Sequence, residues 1–416
     1  MTKDYPKEII FLEPFPEIMI YKIAKLLKKN GYSTVSIRIL ENKDSDNFYK
    51  DGFDLIISFN LSFVKLNSGN ILKIFLLFIK KIKSFSTVLK QILRLSPYVI
   101  ISRAGPSWPS TFARVFFPKI PLIYFPYDIR SAGCRTETIR KKRGIPKIEI
   151  RAERFCFEHA DGVIHKGHPD ELKFLEGELL GHNLKLTKNQ LSFHPYASEE
   201  CFAPLNKNKL SKKDNEIHAV HLDSSGAAGP WGGRYVYDYI RKIIRHKIHV
   251  HNYSKSNALS QEELFKSFNE HEFCESYKDV LTSKYFHRHK SLNPKEITLE
   301  ASKYDYGIAP TPEKVNTENN PNWKFTIGNK LATYIEAGIP LILEKDATFT
   351  SDLVKKYKIG FLHDKETFEN LSKELKRLDY KELEKNIIKA RKDFSMGKNF
   401  PRLKKFIEEV VAGKLR

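Results

Sequence analysis

Cysteine is scarce, with four in 416 residues (Cys134, Cys156, Cys201 and Cys274) and no CxxC pair among them. That pattern excludes a zinc ribbon or a disulfide-stapled secreted scaffold and suits a reducing compartment. Long apolar runs are missing too. The longest, Ile71 to Ile79, has nine residues and already contains Lys73, whereas a bilayer needs roughly 20. No N-terminal stretch has the basic, apolar, small-residue order of a signal peptide, so a cytoplasmic chain is expected. No repeat of a solenoid's period is visible. Glycine and proline, 20 each, are too few for a collagen-like or low-complexity chain. Acidic residues are outnumbered, 50 against 71 Lys and Arg, for a net charge of +21. Residues 61–150 hold 17 Lys/Arg against 3 Asp/Glu, so +14 of the surplus sits in that stretch. Such a field suits an anionic partner: nucleic acid, acidic lipid or a phosphorylated small molecule.

What is present is length and rhythm. At 416 residues the chain is about twice the usual domain size, so two domains are expected. Short apolar runs alternate with helix-length amphipathic stretches. Strands are expected at Glu8–Leu12, Thr34–Leu40, Asp54–Phe59, Tyr98–Ser102, Pro121–Phe125, Gly162–His165 and Leu191–His194. After a polar stretch without period, six more follow at Ile217–Leu222, Lys247–Asn252, Tyr285–His289, Tyr304–Ala309, Pro340–Leu343 and Gly360–Leu362. This βαβ rhythm predicts two α/β domains, each a mostly parallel Rossmann-like sheet, facing across a cleft. The expected division is residues 1–198, a linker over 199–215, a second domain over 216–395, and a terminal helix over 396–416 able to cross back to the first domain. A helical break is expected near Gly397 and Pro401.

The segment Thr326–Leu343, TIGNKLATYIEAGIPLIL, carries the clearest chemistry. Gly328 and Asn329 precede a short helix, so backbone N–H groups and the positive helix end face whatever lies in front. Lys330 adds a mobile cation. Glu336 lies roughly 9 Å further along the axis at 1.5 Å per residue, about the span from a diphosphate to a nucleotide ribose. It precedes Gly338, the expected C-cap, where the dipole disfavours an acid. Such a residue is either functional or a surface Glu on an ordinary helix. A second stretch, Ser224–Arg234, is rich in small residues whose amides can cradle phosphate, with Arg234 aimed inward, or else is a plain flexible turn. Arg288, in His287-Arg-His-Lys290, reads as a nucleotide contact. Asp128, in Tyr124-Phe-Pro-Tyr-Asp-Ile-Arg130, ends a strand, as a functional acid or the cap of the next turn. His249, His251 and their neighbours have no carboxylate or Cys nearby in sequence, so no metal site is expected. Asp44-Ser-Asp46 sits among Asn and Lys and reads as a solvated turn.

Lys330-Leu-Ala-Thr-Tyr-Ile-Glu-Ala-Gly-Ile-Pro-Leu-Ile resembles the donor-site helix of GT-B glycosyltransferases, particularly the retaining group called family 4. Tyr304-Asp-Tyr-Gly-Ile-Ala-Pro resembles the strand before that helix and Tyr357-Lys-Ile-Gly-Phe the one after it. Ala160-Asp-Gly-Val-Ile and Phe193-His-Pro-Tyr-Ala resemble the last units of the first domain. The resemblance covers nearly the whole chain and implies transfer of a sugar from a nucleotide-sugar donor to a glycan or lipid-linked acceptor, without cofactor or metal and with no nucleic-acid partner. It implies that Glu336 holds the donor ribose, that Gly328 and Asn329 lie near the diphosphate or sugar, and that Arg234 and Lys330 neutralise charge. It also makes Asp128 an acceptor contact or base. Where the family carries another Glu eight positions upstream of Glu336, this chain has Gly328. A sugar-nucleotide epimerase of the same fold and a basic nucleic-acid-binding protein are the rival readings.

Lys73, Lys80, Lys83, Thr87, Lys90 and Arg94 recur at helical spacing, opposite Ile, Leu, Phe and Val. Such a helix either docks on an anionic membrane surface or is a crossover helix with a solvated Lys face.

Overall fold

The computed structural model describes residues 7–14, 16–39, 49–59, 86–133, 137–142, 144–178, 186–223, 233–254, 275–310, 324–345 and 348–415. The chain divides into two compact units, Met1–His194 with Asn399–Arg416, and Pro195–Lys398.

The first unit is built on β1 (Glu8–Glu13), β2 (Ser33–Arg38), β3 (Leu55–Ser58), β4 (Val99–Arg103), β5 (Leu122–Phe125), β6 (Gly162–His165) and β7 (Gln190–Ser192). Their order is β3-β2-β1-β4-β5-β6-β7, parallel throughout. Strands covered on both faces read as continuous apolar runs, and all of β4 is buried. On one face Ile10, Val35, Ile37 and Ile100 pack against Val88, Ile92, Phe112 and Phe117. Elsewhere Tyr124 and Val163 meet Phe157, Leu172 and Leu175. The order reverses between β1 and β4, the switch point where ligands settle in such sheets.

The second unit repeats the plan with β8 (His218–Asp223), β9 (His249–Ser254), β10 (Phe286–Lys290), β11 (Tyr306–Ile308), β12 (Leu341–Glu344) and β13 (Gly360–His363). The order is β10-β9-β8-β11-β12-β13, again parallel. The thirteen expected strands are all present, each within about two residues of its expected span.

Two expectations about connections need correcting. Residues 199–215 are not a free linker but part of the second unit. Ala203 N–H donates to Glu336 O (2.8 Å), and Lys209 Nζ donates to Ser302 O and Tyr304 O, both at 2.9 Å. The polar composition that suggested solvent instead serves carbonyls left open at the end of helix Pro294–Ala301. The terminal helix Met396–Leu415 continues through Pro401, and the break falls just before it, at Phe394 and Ser395. From Asn399 on, that helix belongs to the first unit. It passes so close to β6 that a Cβ on Gly162 would lie 2.7 Å from Val410.

Of the basic stripe, residues 71–85 lie outside the described residues. A helix over 86–95 buries Val88 and Ile92 in the first unit's core, with Lys90 and Arg94 outward. Asp44-Ser-Asp46 also lies outside the described residues.

Candidate functional site

The helix Asn329–Ala337 starts without a side-chain cap. Gly328, its N-cap, is extended at φ −87° and ψ 144° and is exposed. Its N–H donates to Thr350 Oγ1 at 3.3 Å. A Cβ built on Gly328 meets nothing within 4 Å among the described residues, so there is room beside this glycine. Asn329 and Lys330 follow, both half-buried. An uncapped N-terminus with room before it is a ready-made anion site. The opposite face anchors the helix: Leu331, Ala332 and Ile335 are buried, and the Tyr334 hydroxyl lies 2.8 Å from Ile308 O and 3.1 Å from Val220 O. Gly307 on β11 leaves room for that ring, since a Cβ there would lie 2.5 Å from Tyr334 Cγ. Gly338 ends the helix at φ 75°, ψ 33°, as its sequence position predicts.

Glu336 stands at the other end of this helix. It is 1% exposed, and its Oε1 accepts the Ser198 N–H at 2.5 Å. Its carbonyl accepts from Ala203 N–H and from Arg391 Nη2, each at 2.8 Å. Arg391 also donates to Ile335 O at 3.0 Å and Ala203 O at 2.7 Å, holding the last carbonyls of the helix. Arg391 was missed in the sequence because its partners are backbone atoms remote in the chain.

Arg234 is the second residue of helix Gly233–Ile244, in the turn where the dipole favours anions. Its side chain and the small-residue loop at 224–232 lie outside the described residues. Arg288 sits in the middle of β10, an edge strand, opposite Asn252. Strand alternation puts it on the face that the Gly233–Ile244 helix covers, where Ala219, Val250 and Phe286 meet Ile240 and Ile243. The motif His287–Lys290 ends its strand at Lys290, and Arg288 lies two residues before that end. Beside it His221 Nδ1 bonds Asn252 Oδ1 at 2.8 Å, both residues fully buried.

In the first unit, Asp128 follows β5 with its side chain 78% exposed and bonds Lys166 Nζ at 2.9 Å. Lys166 Nζ lies 4.0 Å and the Arg103 guanidinium 4.7 Å from the centroid of the Tyr127 ring. Packed protein around Asp128 raises its carboxyl, but Lys166, Arg103 and Arg130 outweigh that and hold it below the usual range. Such a carboxylate accepts hydrogen bonds well and takes a proton poorly. The following loop is fixed by buried Glu153, whose two oxygens accept the Arg130 and Ser131 N–H groups, each at 2.7 Å. Glu13, the last residue of β1, is buried, and burial pushes its carboxyl up to about 7 against the Ser36 hydroxyl at 2.6 Å and Arg38. Arg103, Lys166 and Glu13 were not singled out in the sequence. What they share is a place at or just after a strand's carboxyl end.

Two sequence motifs prove structural. Asp161 accepts from Arg114 Nη1 (2.6 Å), Leu122 N–H (2.9 Å) and Lys414 (3.1 Å). Asp305 accepts from His218 N–H (2.8 Å) and the Ser211 hydroxyl (2.6 Å). The histidines do find carboxylates, against expectation: His218 bonds Asp214 and His249 bonds Glu216.

Residues 250–405 match the family described as glucosyltransferase 3-like, C-terminal domain. No curated protein matches the chain. Among solved structures it is similar to sucrose-phosphate synthase from Thermosynechococcus elongatus, with 11% identity, 98% of this chain and 100% of that one covered, and a TM-score of 0.65. It is also similar to Anabaena HepE in complex with UDP and glucose (13%, 97% and 100%, 0.63) and to S. aureus MnaA with UDP (11%, 94% and 93%, 0.53). At such identities the likeness concerns the fold. That fold is GT-B: two Rossmann-like α/β units in one chain.

Proposed function

We propose that this chain, a GT-B glycosyltransferase whose residues 250–405 match a glucosyltransferase 3-like C-terminal domain, moves a sugar from a UDP-sugar to a glycan or lipid-linked acceptor. Transfer proceeds with retention and with no metal ion at the donor diphosphate. UDP as the carrier is supported by the solved relatives captured with it.

The observation that carries the reading is the uncapped helix end at Gly328, with room at that glycine among the described residues and Lys330 beside it. As the bond from the sugar's anomeric carbon to the β-phosphate oxygen breaks, the diphosphate gains negative charge. The amides at the helix start, its dipole, Lys330 and Arg234 stabilise that charge. An acceptor hydroxyl bonds to the anomeric carbon on the face the phosphate leaves, its proton passes to the departing phosphate, and UDP is released. Asp128, held ionised by Lys166, accepts a hydrogen bond from the acceptor. The excess of +14 over residues 61–150 supports an acceptor presented at the cytoplasmic face of an anionic membrane.

The test is product formation from a panel of UDP- and GDP-sugars in EDTA. Turnover is expected with a UDP-sugar and persists in the chelator. Lys330→Ala lowers it by at least about tenfold, the loss of one charge-assisted hydrogen bond of about 1.5–3 kcal/mol. No product from any UDP-sugar overturns the reading, and complete loss in EDTA restored by manganese overturns its metal-free part.

A further inference from the structure

We propose that the second unit holds a site for one divalent transition-metal cation of the zinc class, formed by Asp214, Glu216, His218 and His249 at the amino ends of β8 and β9. The inference is independent of the reaction proposed above, because the donor helix follows the carboxyl end of β11, at the opposite end of the sheet.

The donor set comes from two places. His218 and His249 are the first residues of neighbouring parallel strands and face each other in register. Their rings stack with centroids 4.5 Å apart and 8° between planes. Asp214 ends the short helix before β8, and Asn215, in the left-handed region at φ 61°, turns the chain so that Glu216 follows on the same side. Asp214 Oδ1 is anchored by the Glu216 N–H at 2.9 Å, which leaves Oδ2 directed at His218 Nε2, 2.9 Å away. Glu216 Oε2 meets His249 Nε2 at 2.5 Å. The ligand atoms of Asp214, His218 and His249 all lie within 4.8 Å of one another. Ligands about 2.1 Å from a tetrahedral ion stand about 3.4 Å apart, so modest rotations of the exposed carboxylates complete the geometry. Two imidazoles with two carboxylates suit Zn, Co, Ni or Cu rather than Mg or Ca. Both carboxylates are more than a third exposed, which gives the ion an entry path.

A second layer distinguishes this group from paired surface charges. His218 Nδ1 bonds His251 Nε2 at 2.9 Å, and His251 Nδ1 bonds His289 Nε2 at 3.0 Å. His249 Nδ1 bonds His287 Nε2 at 2.8 Å. Without an ion, a proton on Nε2 of every ring satisfies the whole ladder and both carboxylates; shifting every proton to Nδ1 keeps the ladder and frees the Nε2 lone pairs of His218 and His249 for an ion. Outer partners that fix tautomer and ring orientation in this way accompany metal-bound histidines. A bound ion would tie the segment before β8 to the start of β9, a structural role rather than a catalytic one.

The test is calorimetric titration of Zn²⁺ and Co²⁺ into the full chain, cleared of metal with chelator and then freed of chelator, near neutral pH. One equivalent binds the wild type and raises its Tm, and the Co²⁺ form shows the visible absorption of tetrahedral coordination. Asp214→Asn with Glu216→Gln leaves the metal-free Tm in place and weakens binding by more than about 100-fold, beyond the cost of losing an outer-shell partner. His249→Gln provides an independent variant with the same expected loss. Wild-type protein that binds neither ion, or binding that all these substitutions leave unchanged, overturns the proposal.

Discussion

A carboxylate at 1% exposure needs a partner, and Glu336 has one in the Ser198 N–H. This contact makes the residue structural whatever else it does. Glu336→Ala should cost about 1–3 kcal/mol, because it leaves a buried N–H without an acceptor. Glu336→Gln keeps an acceptor there and should fold with much smaller loss. If Glu336 also meets the donor ribose, the Gln variant loses about tenfold in UDP affinity while its denaturation midpoint holds. Calorimetry and chemical denaturation on both variants separate the roles, and an unchanged affinity in Gln assigns Glu336 to the fold alone. Sequence could single out Glu336 because an acid at a helix C-terminus breaks a local rule. It could not supply Ser198, which lies 138 residues away.

At the scale of elements, the helix over 86–95 bears on two readings of the basic stripe, membrane docking and a crossover helix with a solvated Lys face. Val88 and Ile92 are spent on the first unit's core, so in this part of the stripe the face left for a membrane carries Lys90 and Arg94, with Leu93 beside them. Attraction there is electrostatic, about 1 kcal/mol per basic residue near an anionic surface, and is screened by salt. Lys90→Glu with Arg94→Glu should therefore lower flotation with acidic vesicles at low salt while UDP binding persists. Wild-type protein that does not float at low salt removes the membrane from the reading and leaves a soluble acceptor. The Asn329–Ala337 helix was legible from end to end because its signals are local: a glycine before it, a glycine at its C-cap and an apolar face between.

Across the whole molecule, acidification acts on the two units with opposite signs. In the second unit burial pushes His287 and His363 down to about 4, and His251 and His289 also below their ordinary value. The stability these neutral rings contribute is complete above about pH 6.5 and is lost as pH falls toward 4. Glu300, facing His289, opposes the shift in part, and buried Asp305, raised by burial, works the other way. In the first unit burial pushes Glu13 and Glu153 up to about 7 from 4.5. Their contribution is complete below about 4.5 and is lost as pH rises through 7, while buried His194, lowered to about 4, partly offsets it. Moving from about pH 7 to pH 5 should weaken the second unit relative to the first. Hydrogen exchange resolved by peptide and corrected for the intrinsic rate checks this. Equal loss of protection in both units would contradict it.

The sequence by itself determined the strands, the two parallel sheets and the helix Asn329–Ala337, because hydrophobic period, capping glycines and βαβ alternation are set by neighbours a few residues apart. Tertiary structure alone decided the rest. Residues 199–215 looked like solvent-exposed linker until the carbonyls they serve came into view, at Glu336, Ser302 and Tyr304. Asp161 and Asp305 stand in family-like motifs, and only the fold shows the backbone N–H groups of Leu122 and His218 that they accept. His218 and His249 stand 31 residues apart, and only the parallel pairing of β8 with β9 stacks them beside Asp214 and Glu216. A side chain's partner across a sheet depends on strand order and register, and neither is encoded in the spacing along one strand.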